Sequence, residues 1–258
     1  MVHKSEPAPF PNVWVGDCLS TCYPLASACI DLIYIDPPYF TKKNFDGFSD
    51  QWAGGRGAYL VWLEERITVL QRLLKPQGVF LLHLDWHAVH YAKVLCDKLF
   101  GDDAFQNELI WYYQTGGASK DRFSRKHDTI LFYANGKKFY FDGTAIQIPR
   151  TAKAMKRAQC PTGARIKLTD THKNPDDVLT IPALNPMATE RNGYPTQKPL
   201  QLLETLILAL CPPDGTVADF FCGSGTTLVA AKRLGRNYLG CDINPDAVAL
   251  AHRRLAER

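Results

Sequence analysis

Short apolar runs and amphipathic stretches of helical period alternate along most of the chain, and this alternation predicts an α/β fold. Buried strands are predicted over residues 13–15, 31–35, 79–84, 108–113, 129–134 and 238–243, with another beginning at Val217. Helices are predicted over 59–74, 88–100 and 199–210, within the stretch that ends at Ala28, from about Thr226, and after the Asn244-Pro245 pair. These elements favour one doubly wound sheet of seven strands.

The last part of the chain carries a strand, a glycine turn and a helix start. Residues 217–227 read V-A-D-F-F-C-G-S-G-T-T. Glycines let a ligand approach the backbone closely, and a helix N-terminus favours a carboxylate or phosphate. The next strand reaches Asp242, about twenty residues further on, where nucleotide-binding βαβ units place a ribose partner. The pattern predicts half of a nucleoside-cofactor site, although taken alone it is better explained as an ordinary turn.

A second chemical motif lies near the other end of the chain. The strand over 31–35 stops at Asp36-Pro37-Pro38-Tyr39, where two prolines end the ladder and stiffen the turn. The polar, aromatic and glycine-rich segment 40–57 follows and is predicted to be a mobile loop. Ligands of doubly wound sheets bind at the carboxyl ends of the strands, where four aspartates are predicted to gather. These are Asp17, Asp36, Asp219 and Asp242.

The composition is that of a globular protein with one domain-sized core. The chain has 258 residues, is 46% hydrophobic and carries a net charge of +4. Its most apolar run, 200–210, is too short to cross a membrane, and the polar, Pro-rich start does not resemble a signal peptide. Eight cysteines without paired CxxC spacing predict reduced thiols rather than disulfides or a zinc site.

Basic residues concentrate where the periodicity fades. Residues 137–167 contain eight lysines and arginines against the single acid Asp142. A charged run is most often a solvated face. This one coincides with turn-rich sequence over 143–191, which favours an anionic partner such as nucleic acid.

A histidine-rich stretch has the residue types of a metal site. It contains His83, Asp85, His87 and His90. We interpret these residues as alternating positions on a buried strand end and on the helix that follows, and we predict no metal. Asp85 remains a candidate for the wall of the pocket.

The two motifs and three further segments resemble one enzyme family. D-P-P-Y at 36–39 comes before F-C-G-S-G at 221–225, with Y-P-T-Q-K-P at 194–199, G-D-C-L at 16–19 and K-H-D-T-I-L-F-Y at 126–133. This set, in this order, is similar to the β class of DNA amino-methyltransferases. Tyr194 stands where that family more often has His, and Phe220 where it more often has Pro.

The resemblance implies a circularly permuted, seven-stranded Rossmann-like methyltransferase sheet with a small loop-rich insertion. Residues 1–142 would form the catalytic half, 143–191 a target-recognition insertion and 192–258 the cofactor-binding half. The implied cofactor is S-adenosylmethionine, and the implied partner is double-stranded DNA with the target base flipped out. The resemblance is compatible with a homodimer, a cognate restriction endonuclease and a cytoplasmic, nucleoid-associated protein of a bacterium or archaeon, without membrane association.

The implied reaction explains the tetrapeptide, because the lone pair of an exocyclic amino group is delocalised into its base. Two acceptors that take both amino hydrogens draw the nitrogen toward tetrahedral geometry. Asp36 offers a carboxylate and Pro37 a carbonyl, and the stiff turn fixes both. The catalytic set is Asp36, Pro37, Pro38 and Tyr39, with the Tyr39 ring available for stacking on the base. Aromatic residues of the following loop would surround that base: Phe45, Phe48 and Trp52.

The resemblance also implies a set of cofactor-binding residues. They are Asp17, Cys18, Asp36, Thr196, Lys198, Asp219, Phe221, Gly223, Ser224, Gly225, Thr226, Thr227, Asp242 and Ile243. Phe221 and the residues of the glycine turn would wrap the methionine part, and Asp242 would accept from the ribose hydroxyls. Asp17 either reaches the adenine or caps a helix. Thr196 and Lys198 would pair with the methionine carboxylate, unless Lys198 is a surface lysine.

The acceptor atom and the class of protein leave alternatives open. Asp36 at the head of the tetrapeptide resembles enzymes that methylate adenine N6, whereas enzymes that methylate cytosine N4 more often have Ser there. Outside this family, the glycine turn is compatible with a nicotinamide-dependent oxidoreductase, although G-x-G-x-x-G is missing. A DNA-binding module without catalysis is the third alternative.

Overall fold

The computed structural model describes residues 12–45, 48–114, 117–158, 171–185 and 187–257. The polar N-terminal segment and the last part of the basic run, including Arg165 and Lys167, lie outside these ranges. The strands are β1 (Val13–Val15), β2 (Ile30–Ile35), β3 (Asn44–Phe45), β4 (Phe48–Ser49), β5 (Leu74–Leu84), β6 (Phe105–Tyr112), β7 (His127–Ala134), β8 (Ile148–Pro149), β9 (His172–Lys173), β10 (Val178–Thr180), β11 (Thr216–Asp219) and β12 (Asn237–Asp242). The α-helices are α1 (Cys18–Cys22), α2 (Gly55–Leu73), α3 (Val89–Phe100), α4 (Ala152–Ala158), α5 (Leu200–Leu210), α6 (Thr226–Arg233) and α7 (Pro245–Ala256).

One large sheet organises the molecule. Its strand order is β1-β12-β11-β2-β5-β7-β6-β10, and β7 pairs antiparallel with both of its neighbours, whereas the other pairings are parallel. All seven predicted strands belong to this sheet, so the α/β prediction is confirmed. The strand of the glycine turn, β11, lies between β12 and β2. This adjacency brings segments from the two ends of the chain to one edge of the sheet.

The sheet has an eighth strand that the sequence did not predict. β10 comes from the predicted insertion and pairs in parallel with β6, so that Leu179 lies beside Trp111. The Trp111 indole donates to the Ile181 carbonyl at 2.7 Å and fastens this edge. A strand of three residues has no room for an alternating pattern, and this explains why the prediction stopped at seven.

Two predicted starts were wrong, that of the second helix and that of the strand after it. The helix begins at Gly55, four residues before the predicted start, and ends at Leu73, next to the predicted end at Leu74. The strand begins at Leu74, so the sequence K-P-Q-G lies within β5. The pairing of β5 with β2 shifts register, from Ile30 opposite Leu74 to Leu32 opposite Val79, and this irregularity accommodates Pro76. Inside the predicted 40–57 loop, β3 and β4 form a short antiparallel pair.

Hydrophobic clusters cover both faces of the sheet. Alternate residues of β2 divide between them, with Leu32 and Tyr34 in one cluster and Ile33 and Ile35 in the other. The predicted N-cap of α7 is confirmed, because the Asn244 side chain accepts from Asp246 N and Ala247 N. The cysteines within the described ranges are free thiols. In the same ranges, no helix combines the length and apolarity needed to cross a membrane.

Candidate active site

A cavity of about 220 Å³ opens at the carboxyl edge of β11 and β2. Its walls come from both ends of the chain, since Asp36 follows β2 and Gly223 follows β11. The sequence-predicted residues that line it are Asp17, Cys18, Asp36, Pro37, Pro38, Tyr39, Thr196, Lys198, Asp219, Phe221, Gly223, Ser224, Thr226, Thr227, Asp242 and Ile243. The structure therefore brings the tetrapeptide and the glycine turn together around one space.

The carboxylate of Asp36 has a donor on each oxygen. The Tyr39 hydroxyl donates to Oδ1, and the Lys198 ammonium donates to Oδ2. Burial, and secondarily the charge of Asp36, raises the pKa of the Tyr39 phenol well above its usual value, so the phenol keeps the proton that it donates. The Tyr59 hydroxyl holds the same turn from below by donating to the Pro38 carbonyl at 2.9 Å. These contacts fix the position of the carboxylate before any ligand binds.

A buried polar network lies behind the Tyr39 ring. This ring stacks on His83, with centroids 6.1 Å apart and planes 28° apart, and His83 is fully buried. The Tyr34 hydroxyl lies 2.6 Å from His83 Nδ1, and Asp128 Oδ2 lies 3.4 Å from Nε2. Burial acts to raise the pKa of Asp128, but the hydrogen bond and charge of His83 outweigh it and hold that pKa below its usual value. His83 thus braces Tyr39 from inside the core.

Asp85 and His87 of the histidine-rich stretch pair with each other. The Asp85 carboxylate accepts from the His87 backbone N–H at 2.9 Å and lies 2.7 Å from its ring Nδ1. Asp85 does not line the cavity, so the expectation that it forms part of the wall was wrong. Within the described ranges, no three His, Cys, Asp or Glu side chains converge as metal ligands would.

The backbone after Tyr39 is strained and is held by one buried acid. Phe40 and Lys42 have φ of +64° and +63°, which is unfavourable for residues with a Cβ. Asp50 is 1% exposed, and its carboxylate accepts from Phe40 N at 2.8 Å and from Thr41 N and Oγ1 at 2.6 Å each. This side chain ties the start of the 40–57 segment to the wall of the cavity.

The glycine turn is shaped by Asp242 and Tyr194. Gly223 has φ of +49°, and its N–H donates to Asp242 Oδ2 at 2.9 Å, while Asn244 N donates to Oδ1 at the same distance. A Cβ at Gly223 would lie 2.9 Å from Tyr194 Cε1, so only glycine fits below this ring. Burial raises the pKa of Asp242, whose carboxylate faces the cavity.

Other predicted residues of the turn form hydrogen bonds within the protein. The Asp219 carboxylate accepts from Phe221 N at 3.0 Å and from Thr227 Oγ1 at 2.6 Å, and burial raises its pKa to about 7. Arg254 of α7 donates to the Ser224 carbonyl at 2.7 Å and to Thr226 Oγ1 at 3.0 Å. These side chains hold the turn against the helix behind it.

Three predicted residues have a structural role that the sequence left open or did not indicate. Gly225 does not line the cavity; it precedes α6 with φ of +78°, and a Cβ there would lie 2.7 Å from that of Ala251. Asp17 caps α1 by accepting from Leu19 N at 2.9 Å, and it pairs with Arg66 at 2.8 Å. Lys198 is not a surface lysine, because its side chain is 13% exposed and paired with Asp36.

Several residues of the cavity wall were not predicted. They are Tyr34, Thr41, Asp50, Trp62, Tyr194, Gln197, Phe220 and Cys222. Trp62 lies one turn beyond Tyr59 on α2, packs edge-on to Phe221 at 5.7 Å and carries the Arg66 guanidinium at 4.2 Å from its ring centroid. The helical spacing of Tyr59, Trp62 and Arg66 is the sequence signal that points to this face.

The loop aromatics expected around the base are placed differently. Trp52 does not line the cavity; its ring packs at 4.8 Å from that of Trp62 and at 5.2 Å from that of Tyr59. The side chains of Phe45 and Phe48 lie outside the described part of the structure.

A second cavity of about 270 Å³ shares a wall with the first. Thr196, Gln197 and Lys198 line both spaces. The far side of the second cavity is formed by residues of the β6 and β7 region and by a basic side chain: Trp111, Tyr113, Asp128 and Arg191. Aromatic rings and charged groups therefore adjoin the Lys198–Asp36 pair on both sides.

Comparison with known proteins gives the class of this chain. A family model, N6_N4_Mtase, described as DNA methylase, matches residues 30–253. The chain belongs to this family of DNA methylases. The match includes both Asp36 and Gly223, so the prediction of a DNA methyltransferase is confirmed and the oxidoreductase alternative is wrong.

The methylase is similar to characterised proteins over nearly its whole length. It is 31% identical to the DNA adenine methyltransferase YhdJ of Escherichia coli (strain K12) over 266 residues, which cover 97% of this chain and 85% of YhdJ. The structure of the PvuII DNA methyltransferase (cytosine-N4-specific) aligns with a TM-score of 0.68 and 20% identity, covering 95% of this chain and 86% of that one. The M1.HpyAVI–SAM complex aligns with a TM-score of 0.63 and 18% identity, covering 95% and 99%. The structural likenesses confirm the methyltransferase fold.

Proposed function

We propose that this DNA methylase transfers a methyl group from S-adenosylmethionine to N6 of adenine in duplex DNA, with the target base flipped out of the helix. One observation carries the proposal: the Asp36 carboxylate faces the cavity whose opposite wall is the glycine turn at Gly223. An acceptor amino group bound by Asp36 would thus lie beside a methyl donor bound on that turn.

S-adenosylmethionine is the methyl donor, and it supplies an electrophilic methyl group on a sulfonium. The cavity has the features that this cofactor requires. Gly223 leaves the space that a Cβ would fill, and Asp242 presents a carboxylate to ribose hydroxyls. Trp62 and Phe221 offer aromatic surface for the adenine ring. The methionine carboxylate would bind near the N-terminus of α6, where the helix dipole favours an anion.

Asp36 and the Pro37 carbonyl accept the two hydrogens of the target amino group in this proposal. Lys198 and Tyr39 hold the carboxylate in place, which contributes preorganisation rather than chemistry. The Asp36 carboxylate still has lone pairs to accept one amino hydrogen, because each of its oxygens carries only one donor in the absence of substrate. The nitrogen lone pair is thereby released from the ring and directed at the methyl group.

Adenine is favoured over cytosine by two observations. Asp36 heads the tetrapeptide, and YhdJ, a DNA adenine methyltransferase, matches 97% of the chain. The cytosine-N4 enzyme among the similar structures is 20% identical, which supports a shared fold and not a shared base. Methylation of cytosine N4 is therefore the second candidate.

The basic, irregular insertion 143–191 would supply contacts to DNA in this proposal. A DNA substrate implies a cytoplasmic, nucleoid-associated location in a bacterial or archaeal cell. The homodimer and the cognate restriction endonuclease stay predictions of the family resemblance, as does the division into halves at 142 and 191.

Transfer of labelled methyl groups tests the proposal directly. Unmethylated DNA is incubated with the protein and S-adenosylmethionine labelled in the methyl group, and the modified nucleosides are separated. We expect labelled N6-methyldeoxyadenosine. Labelled N4-methyldeoxycytidine would establish the second candidate instead. DNA from a host that expresses the protein would then be sequenced by a method that detects modified bases, and this would give the recognition motif.

The Asp36→Ala variant separates catalysis from binding. Methyl transfer is expected to fall by about a hundredfold or more, while cofactor affinity stays within about threefold. The matched Asp103→Ala variant removes an exposed aspartate and should leave both quantities unchanged. A wild-type protein that binds DNA without any transfer would instead be the non-catalytic module.

A further inference from the structure

The loop over 117–126, between β6 and β7, presents a bare aromatic ring to solvent. Phe123 is 99% exposed, more than any other large hydrophobic residue that the structure describes. Exposing a whole phenyl ring is unfavourable in water. A single exposed hydrophobic residue is common on protein surfaces, so its surroundings decide whether it marks a contact. The described part of the structure contains no ring or apolar cluster that receives it.

The loop is internally bonded. Ser119 N donates to Ser124 Oγ at 2.9 Å, and Ser119 Oγ donates to Asp121 Oδ1 at 2.8 Å. At its base, Lys126 Nζ donates to the Gly117 carbonyl at 3.1 Å. These bonds close the loop on both sides of Phe123, which reduces the ordering that a binding event must impose.

Positive charge surrounds the exposed ring. Residues 119–126 carry four basic side chains and one acid: Lys120, Arg122, Arg125, Lys126 and Asp121. The Arg125 guanidinium lies 3.7 Å from the centroid of the Trp86 ring, which is itself 44% exposed. An apolar wedge flanked by basic residues is the combination by which proteins insert a side chain between base pairs while they bind the phosphates.

The loop rises from the edge of the sheet that holds the catalytic motif. β7 runs antiparallel to β5, so that Thr129 near its start lies opposite Leu84 at the end of β5. Asp128, one residue earlier, contacts His83, on which the Tyr39 ring stacks. Tyr113, just before the loop, lines the second cavity beside Lys198. A duplex that delivers a base to Asp36 would lie over the same edge of the sheet from which the Phe123 loop rises.

We propose that Phe123 inserts into the duplex at the target step and occupies the space left when the adenine is flipped out. The proposal rests on the proposed function and adds the device that keeps the base outside the helix. Stacking of the phenyl ring on the neighbouring bases replaces part of the stacking that the departing base loses. The surrounding basic residues bind the backbone of the same step.

The test compares two duplexes that differ in the cost of flipping. Both carry the recognition motif found modified in an expressing host; one is fully paired, and the other has an abasic site opposite the target adenine. Single-turnover methyl transfer is measured for wild type, Phe123→Ala, Phe123→Leu and Tyr23→Ala. Tyr23 is the matched control, since it is 73% exposed at the opposite end of α1 from Asp17.

Phe123→Ala is expected to transfer about tenfold more slowly than wild type to the paired duplex and within about twofold of wild type to the abasic one. Phe123→Leu should retain most of the rate because it keeps an apolar wedge, and Tyr23→Ala should match wild type on both. In a paired duplex with 2-aminopurine at the target position, the fluorescence increase that reports an unstacked base should be smaller for Phe123→Ala.

Two results would overturn the wedge and leave the methyltransferase proposal intact. One is Phe123→Ala with a normal rate on the paired duplex, and the other is an equal loss on both duplexes, which would mean that Phe123 acts on binding or folding rather than on flipping. Absence of transfer by the wild-type protein to any DNA would reject the proposed function, and the wedge with it.

Discussion

The Lys198 ammonium donates to the carboxylate of Asp36 across a sequence separation of 162 residues. The two side chains are 13% and 15% exposed, so the pair is largely removed from water. Sequence reasoning assigned Lys198 to the methionine carboxylate of the cofactor. In the structure Lys198 pairs with Asp36, and we propose that it supports the acceptor side of the site.

Replacement of Lys198 by Met should lower the methyl-transfer rate by about tenfold to a hundredfold, because Asp36 loses the group that fixes it. Cofactor affinity should stay within about threefold, and Lys198→Arg should restore part of the rate. Single-turnover kinetics and calorimetric titration with S-adenosylmethionine measure the two quantities. Lys75→Met is the control, since Lys75 pairs with Asp31 outside the cavity. A large rise in the cofactor Kd of Lys198→Met would instead support the predicted pairing of Lys198 with the methionine carboxylate.

Gly223→Ala should weaken cofactor binding by about tenfold or more, because the new methyl group must enter the space of the Tyr194 ring on a backbone of positive φ. Gly235→Ala serves as the comparison. Gly235 has φ of +69°, but nothing lies within 4 Å of the position of its Cβ. That variant should lose about 1 kcal/mol of folding free energy and keep its cofactor affinity. Equal cofactor affinities in the two variants would refute the steric explanation.

Asp50→Ala should lower the free energy of unfolding by about 2–4 kcal/mol, since it leaves the N–H groups of Phe40 and Thr41 without their acceptor. Methyl transfer should fall as well, because the strained backbone adjoins Tyr39. Urea denaturation and transfer assays on the same preparation measure both effects. Asp103→Ala, at an exposed position, should change neither. A stable Asp50→Ala protein with normal activity would mean that the backbone of residues 40–42 keeps its conformation without the Asp50 side chain.

The pH dependence of stability should carry the signature of Asp219. Burial raises the pKa of this carboxyl from 3.8 to about 7 in the folded protein, so the folded state binds the extra proton between these values. Stability from this group is therefore full below about pH 4, declines as the pH rises to about 7 and is constant above it. Asp219→Asn removes this decline, so its free energy of unfolding should rise relative to wild type by at most about 1.4 kcal/mol per pH unit.

Denaturant unfolding of wild type and Asp219→Asn at intervals between about pH 5 and pH 8 measures the difference. The free energy of unfolding of the variant should increase relative to that of wild type as the pH rises. A constant difference across the range would show that Asp219 is ionised in the folded protein throughout. Asn at this position retains an acceptor for Phe221 N and a polar partner for Thr227.

Local patterns made the main elements of the fold and both motifs predictable. Prolines at 37 and 38 and glycines at 223 and 225 mark the strand ends, and the apolar period identifies the flanking helices. Asp36 and Gly223 are far apart in sequence, and their meeting was predictable from the order of strands in a doubly wound sheet. Family resemblance, rather than periodicity, named the cofactor.

The unpredicted features depend on register and on pairing between distant segments. His83 meets Tyr34 and Asp128 because of how β2, β5 and β7 are aligned, and no local pattern contains that alignment. β10 is too short to give a periodic signal. Trp62 was visible as part of a helical face, but which face of α2 meets the glycine turn is decided by packing.

The position of β1 has a consequence for the connectivity of such enzymes. β1 pairs with β12, and α7 packs against β1, so the first and last elements of the sheet are neighbours in space. In a circular permutant, the present ends of the chain would be joined beside β1 and α7, and the new ends would lie within 143–191. Every pairing among the seven predicted strands would be preserved. The permutant would read the methyl-donor segment first and the Asp36 segment second, which means that gene rearrangement can reverse the order of the two motifs without dismantling the site that they share.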